Sequence, residues 1–169
     1  MLTIGPQRLA PTVNFFFYGT LLDPEVRAVV LGEGTRPRSI APAAIIGFRR
    51  APVIGRTYPM LVLDAGARVD GSLVSGVDLN AASRTSFFEG DDYFPELTEI
   101  MVGKAGTAHA WVYMPRGSVR AAPGTWSFDA WRQRYLAVYL RDSRIWMRRC
   151  GGRELARYRT EWHSRAAGT

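Results

Sequence analysis

The chain has 169 residues, 47% of them hydrophobic and 12% aromatic, which suits one folded domain and excludes a disordered chain. A single cysteine, Cys150, excludes a disulfide framework and a cysteine-built zinc site, and no run of eighteen apolar residues is present to cross a membrane as a helix. The net charge of +7 sits in residues 131–165, where ten arginines meet Asp142, Glu154 and Glu161, so it describes the tail and not the remainder.

The opening MLTIGPQRLAP lacks the basic start and apolar stretch of a signal peptide. Residues 1–12 therefore read as a lead-in and the cytoplasm as the expected location. Val13–Tyr18 carries no charge and is rich in aromatics, which predicts a strand buried on both faces. Gly19 and Thr20 end it, with Gly19 free to take positive φ or to admit a ligand close to the backbone. Asp23-Pro24-Glu25 predicts a helix start, with Asp as cap, Pro first and Glu complementing the dipole; the helix buries Val26, Val29 and Val30 and stops near Gly32 and Gly34. Backbone N–H groups between this strand and helix are left for a carboxylate or phosphate, or the corner is a plain strand–turn–helix connection.

Glu33–Pro42 reads as a proline-punctuated connection, Ala43–Arg50 as a second strand, and Tyr58–Leu63 as a third that turns at Asp64-Ala65-Gly66. Val69–Leu79 predicts an amphipathic strand with Val69, Leu73, Val77 and Leu79 on one face. Asn80 is the expected cap of a short helix through Ala81–Phe87. An acidic corner, Phe88-Glu89-Gly90-Asp91-Asp92-Tyr93, follows. Leu97–Val102 and Thr107–Met114 read as a hairpin across Gly103-Lys104-Ala105-Gly106. After a loop over Arg116–Thr125, Ser127 caps a helix presenting Phe128, Trp131, Tyr135, Val138 and Tyr139, and Gly151-Gly152 separates it from a last arginine-rich helix ending near Arg165. Many strands without regular βαβ alternation predict an α+β fold with a mostly antiparallel sheet or small barrel. The expected organisation is a lead-in over 1–12, a domain over 13–140 and a basic helical extension over 141–169.

The sequence holds no GxGxxG, Walker A, GxSxG or HExxH pattern. His109 and His163 have no evident metal partner and read as structural or exposed. Cys150 lies beside Arg148 and Arg149, which can lower a thiol pKa, yet no well-placed histidine accompanies it. The arginine-rich tail has no base-stacking or groove-reading motif, so it reads as a solvated helical face and not as a nucleic-acid contact. The acidic corner remains. Glu89 sits between the bulk of Phe87-Phe88 and Gly90, where aromatic burial raises a carboxylate pKa toward the range of a general acid or base. Glu89, Asp91 and Asp92 can also be read as a cation site or as an exposed acidic turn.

An ordered set of short motifs adds to this reading: Tyr18–Leu21 (YGTL) after an aromatic strand, Tyr58-Pro59, Val69-Asp70-Gly71, Phe88–Tyr93 (FEGxxY) and Ala110–Tyr113 (AxVY). Together they resemble the γ-glutamylcyclotransferase-like family, and YGTLLDPEV with Thr125–Trp131 (TWSFDAW) is similar to its plant avirulence-induced-gene branch and bacterial relatives. The resemblance implies a small, mixed, mostly antiparallel β-barrel flanked by helices, with no metal and no cofactor. It implies a small-molecule γ-glutamyl substrate that cyclises to 5-oxoproline and releases an amine or amino acid. By motif, Glu89 becomes the catalytic acid/base, Tyr18, Gly19, Thr20 and Leu21 the substrate loop, and Tyr113 a cavity wall. Two positions depart from the family pattern: Thr85-Ser86 stands where Leu-Asp is usual, and Pro95 where Arg is common. The competing expectation is a catalytically silent member that binds an acidic metabolite or a protein through the arginine-rich tail.

Overall fold

The computed structural model describes residues 9–104 and 106–169. Most of the expected lead-in and Ala105 of the hairpin loop therefore lie outside the described residues. Nine main elements follow in order: β1 (Thr12–Phe17), α1 (Pro24–Leu31), β2 (Ser39–Pro52), β3 (Pro59–Asp78), α2 (Leu79–Glu89), β4 (Tyr93–Val102), β5 (Gly106–Pro115), α3 (Phe128–Met147) and α4 (Gly152–Ala167). The strands run in the order β1-β3-β2-β4-β5, antiparallel throughout except where β5 meets β1 in parallel at Trp111 and Phe15 and closes the barrel. The α+β fold with a mostly antiparallel sheet is the one the sequence predicts.

The barrel has two apolar layers, and β1 shows why its sequence has no polar face. Phe16 and Tyr18 point inward with Ile45, Leu73, Ile100 and Val112. Phe15 and Phe17 point outward beneath the helices with Val26, Val30, Val74 and Trp162. Both faces are dry, so alternation places aromatics on each. Gly71 is required where β3 crosses β1: a Cβ there would strike the Phe17 carbonyl oxygen and come within 2.7 Å of the Phe16 ring.

Five expectations need correction. Asp64-Ala65-Gly66 does not reverse the chain, because β3 continues through it as one strand of 20 residues. The pairing jumps from Ile46↔Arg68 to Phe48↔Leu63, so the positive φ of Gly66 (83°) and of Gly47 opposite (85°) serves a bulge and not a turn. Val77 leaves the Leu73 face and joins Val74 under the helices. Between Val13↔Val77 and Phe15↔Val74 one extra residue enters β3, and Gly76, at φ 72° with its N–H donating to Asn14 Oδ1 at 3.0 Å, absorbs it; a one-residue slip exchanges faces. The segment before Ala43 is already strand from Ser39, and α2 starts two residues earlier than expected, at Leu79, capped by Asp78, whose Oδ1 accepts from Ala81 N at 2.8 Å. Val138 is 53% exposed; the buried face of α3 runs through Trp131, Leu140, Ser143 and Met147.

The C-terminal helices complete the core. The expected border between residues 140 and 141 falls inside α3, and α4 inserts Trp162, 0% exposed, edge-on against Phe15 and Trp111 with ring centroids 5.3 Å away in each case. The arginines occupy the outer faces of these helices, with cation–π contacts such as Arg157 over Tyr158 and Arg165 over Trp162. Among the described residues, no helix is long and apolar enough to cross a membrane.

Candidate active site

The turn after β1 is built by its own sequence and braced from behind. Asp23, fully buried, accepts the N–H groups of Glu25 (2.9 Å) and Val26 (3.1 Å) on Oδ1 and the Arg132 Nε–H (3.0 Å) on Oδ2, so one carboxylate caps α1 and ties it to α3. Arg50 donates to the Tyr18 carbonyl at 2.8 Å while stacking on Trp126, and Arg27 donates to the Leu21 and Leu22 carbonyls at 3.1 and 3.3 Å. Thr20–Leu22 forms a single 3-10 turn. Among the described residues, the N–H groups of Gly19, Thr20 and Leu21 have no protein acceptor, because the turn's own bonds begin at Leu22. Gly19 has φ −125°, so close approach and not positive φ explains the residue: a Cβ would lie 3.0 Å from Pro59 Cγ.

This turn forms one side of a cavity of about 230 Å³. Glu89, at the C-terminal end of α2, and Tyr113 of β5 also line it. All six residues carried by the motifs, Tyr18, Gly19, Thr20, Leu21, Glu89 and Tyr113, therefore share one space. The remaining motif residues support it: Tyr93 donates its hydroxyl to the Pro59 carbonyl at 3.0 Å and meets Tyr58 edge-on, and both tyrosines line the cavity. Tyr18 donates to the Tyr113 carbonyl at 2.7 Å, fixing β1 to β5 at the cavity floor.

The acidic corner divides in two. Burial pushes the Glu89 carboxyl from 4.5 up to about 8, and among the described residues it has neither an ion pair nor a side-chain hydrogen bond to oppose the shift. Asp91 points to solvent near Arg157 (3.9 Å), and Asp92 accepts from Ser118 Oγ at 2.8 Å. The three carboxylates do not converge, and among the described residues no group of three His, Cys, Asp or Glu does. Burial raises the phenols of Tyr18, Tyr93, Tyr113 and Tyr139, with the Glu89 charge adding to each, so they stand as protonated donors around a proton-carrying carboxyl. Burial raises the Cys150 pKa despite the pull of Arg84 and Arg159, so the thiol is not activated by its arginine neighbours. His109 and His163 are exposed and remote from the cavity lining.

The residues that sequence reading missed come from α3. Tyr139, Asp142, Ser143 and Trp146 complete the cavity wall, with Tyr139 within 3.2 Å of the Thr20 hydroxyl and edge-on to Phe88. Their spacing of three and four residues continues the Tyr135 face, and that periodicity was the available signal.

The family profile described as "Gamma-glutamyl cyclotransferase, AIG2-like" matches residues 15–132. The chain belongs to that family. Protein AIG2 C of Arabidopsis thaliana is 29% identical over 122 residues, covering 70% of this chain and 72% of that protein. AIG2-like protein A of the same plant is 29% identical over 123 residues, covering 71% and 72%. A solution structure of an Arabidopsis thaliana protein superposes with TM-score 0.59 at 25% identity, covering 82% of this chain and 92% of the other. A structure titled gamma-glutamyl cyclotransferase shares the fold, with TM-score 0.54 at 13% identity over 78% and 86% of the two chains. The family match ends at residue 132, so the wall formed by Tyr139–Trp146 and all of α4 lie beyond it.

Proposed function

We propose that this protein is a cyclotransferase that converts a γ-glutamyl amide into 5-oxoproline and a free amine, with Glu89 as the proton carrier. The observation that carries this reading is a carboxyl with its pKa raised to about 8 that lines one cavity with several tyrosines and an amide-rich turn. Family membership supports the reaction class.

The chemistry asks for such a group. The α-ammonium of a γ-glutamyl unit must lose a proton before its nitrogen can attack the γ-carbonyl carbon. Ionised Glu89 accepts that proton. Once the ring C–N bond has formed, a second proton must pass from the ring nitrogen to the departing nitrogen as the old C–N bond breaks. A carboxyl titrating near neutrality can accept and return protons in both steps. Five-membered ring closure within one bound molecule supplies the favourable proximity.

No Lys or Arg lines the cavity among the described residues, so the substrate's α-carboxylate falls to the N–H groups of Gly19, Thr20 and Leu21. Arg50 and Arg27 occupy the carbonyl side of the same turn and leave those amides free. The test is a panel of γ-glutamyl amines and γ-glutamyl dipeptides, with 5-oxoproline and the released amine both quantified by mass spectrometry. Equimolar appearance of the two supports the reading and names the leaving group. A folded protein that releases neither from any member of the panel overturns it.

A further inference from the structure

Three polar groups meet behind the cavity wall, each from a different element. The Trp162 indole N–H of α4 donates to Ser86 Oγ of α2 at 2.9 Å. Ser86 Oγ lies 2.8 Å from the Tyr113 hydroxyl of β5. Trp162 and Tyr113 are 0% and 4% exposed, and Ser86 is likewise 4% exposed, so each proton must find a protein partner, the cavity, or the small polar pocket that Ser86 and Tyr113 line on the other side.

Counting donors narrows the directions. An indole nitrogen only donates, so Ser86 accepts there and has one proton of its own left to place. Its neighbours Ser83 and Thr85 give theirs to the carbonyls of Leu79 (2.6 Å) and Ala81 (2.8 Å), one turn back along α2. Ser86 makes no such bond among the described residues, and Tyr113 Oη is its remaining partner. Were Tyr113 the donor, the Ser86 proton would be left to the small polar pocket that Ser86 lines with Glu161 and Arg165, and neither hydroxyl proton would face the substrate. With Ser86 as donor, the unmatched proton belongs to Tyr113, which lines the cavity and can give it to substrate or water.

We infer that Trp162 and Ser86 form a one-way donor relay that turns the Tyr113 hydroxyl proton into the cavity, where Tyr113 donates to the γ-carbonyl oxygen of the substrate as negative charge develops on it. This inference rests on the cyclotransferase reading for the identity of that oxygen. Tyr113 is then a catalytic residue, and Trp162 and Ser86 are positioning residues. Each bond in the chain polarises the next, so the indole N–H strengthens a donor two links away. The indole is held by Phe15, Trp111 and the Arg165 guanidinium 5.0 Å from its ring centroid. α4 therefore contributes to the reaction centre although it lies outside the family match.

The experiment is a double-mutant cycle in 5-oxoproline release, with wild type, Trp162→Phe, Tyr113→Phe and the double variant. Tyr113→Phe should lower kcat by roughly 100-fold, the scale of losing one oxyanion donor. Trp162→Phe keeps a ring in the core and should lower kcat by about tenfold with little change in KM. The Trp162→Phe loss should vanish in the Tyr113→Phe background, because no donor then remains to be polarised. A general packing defect would act equally in both backgrounds, and that result overturns the relay, as does an unchanged kcat in Trp162→Phe. If wild type releases no 5-oxoproline, the cyclotransferase reading fails separately. The relay is then read from hydrogen exchange of the Trp162 indole proton, which Ser86→Ala should accelerate by about tenfold or more; unchanged exchange overturns it.

Discussion

Replacing Glu89 by Gln should make the folded protein more stable at alkaline pH while removing the proposed proton carrier. In the unfolded chain this carboxyl ionises near 4.5; in the folded protein it holds its proton up to about 8. Below 4.5 both states are protonated and Glu89 contributes nothing to pH dependence. Between 4.5 and 8 the unfolded chain gives up its proton first, so stability falls as pH rises, and above 8 the loss is complete. At about 1.4 kcal/mol per pH unit, the full separation corresponds to roughly 4–5 kcal/mol. Glu89 keeps some contact with water through the cavity, which screens the charge and brings the expected loss to about 2 kcal/mol. Glutamine keeps the shape and removes the titration. For a chain of this size, 2 kcal/mol corresponds to a Tm increase of about 4–8 °C for Glu89→Gln above pH 8. At pH 4.5 the two proteins should melt within a degree or so of each other. Scanning calorimetry of both at pH 4.5, 6.5 and 8.5 measures this directly. A Tm difference that does not grow with pH, or a Glu89→Gln protein that melts lower at pH 8.5, would refute the buried, raised carboxyl.

The same ionisation should appear in the kinetics. With Glu89 as the essential base of the free enzyme, kcat/KM should climb about tenfold per pH unit up to a bend near 8; a bend near 4.5 would mean an unshifted carboxylate and contradict the raised pKa. Asp23→Ala removes the cap of α1 and the tie to Arg132 together, and should cost about 2–3 kcal/mol in urea unfolding. Because the turn loses its anchor, KM should rise more than kcat falls; equal stability to wild type would contradict the role given to Asp23.

What the sequence made legible was local. β1, the turn and α1 could be read because each depends on neighbours along the chain: an uncharged aromatic run, a glycine stop and Asp-Pro-Glu. The pairing of Glu89 with the Tyr18–Leu21 turn rested on the ordered motifs, since residues seventy apart carry no local sign of meeting. The long strand β3 was not legible, because Asp64-Ala65-Gly66 has the chemistry of a turn and only the glycine opposite it in β2 makes it a bulge. Val77 was misplaced for the same reason: the slip at Gly76 is set by its partner Asn14, not by the residues of β3. The α3 wall was obscured by its arginines, which drew attention to charge and away from the Tyr139–Asp142–Ser143–Trp146 spacing. Trp162 was hidden in the same way, as a core residue inside a segment whose composition reads as solvated surface.

The departures from the family pattern also acquire a location. Ser86 bonds the Tyr113 hydroxyl, and Pro95 pairs opposite Tyr113 across the β4–β5 ladder. Both changes therefore surround one tyrosine, on the side where α4 supplies Trp162.

The measurement that tests the central claim most directly is 5-oxoproline release by wild type and Glu89→Gln on the same γ-glutamyl amide, with circular dichroism and Tm recorded on both samples. The account predicts product from wild type and a loss of at least 100-fold in Glu89→Gln with the fold intact. Equal product from the two proteins would remove Glu89 from the reaction and contradict the account.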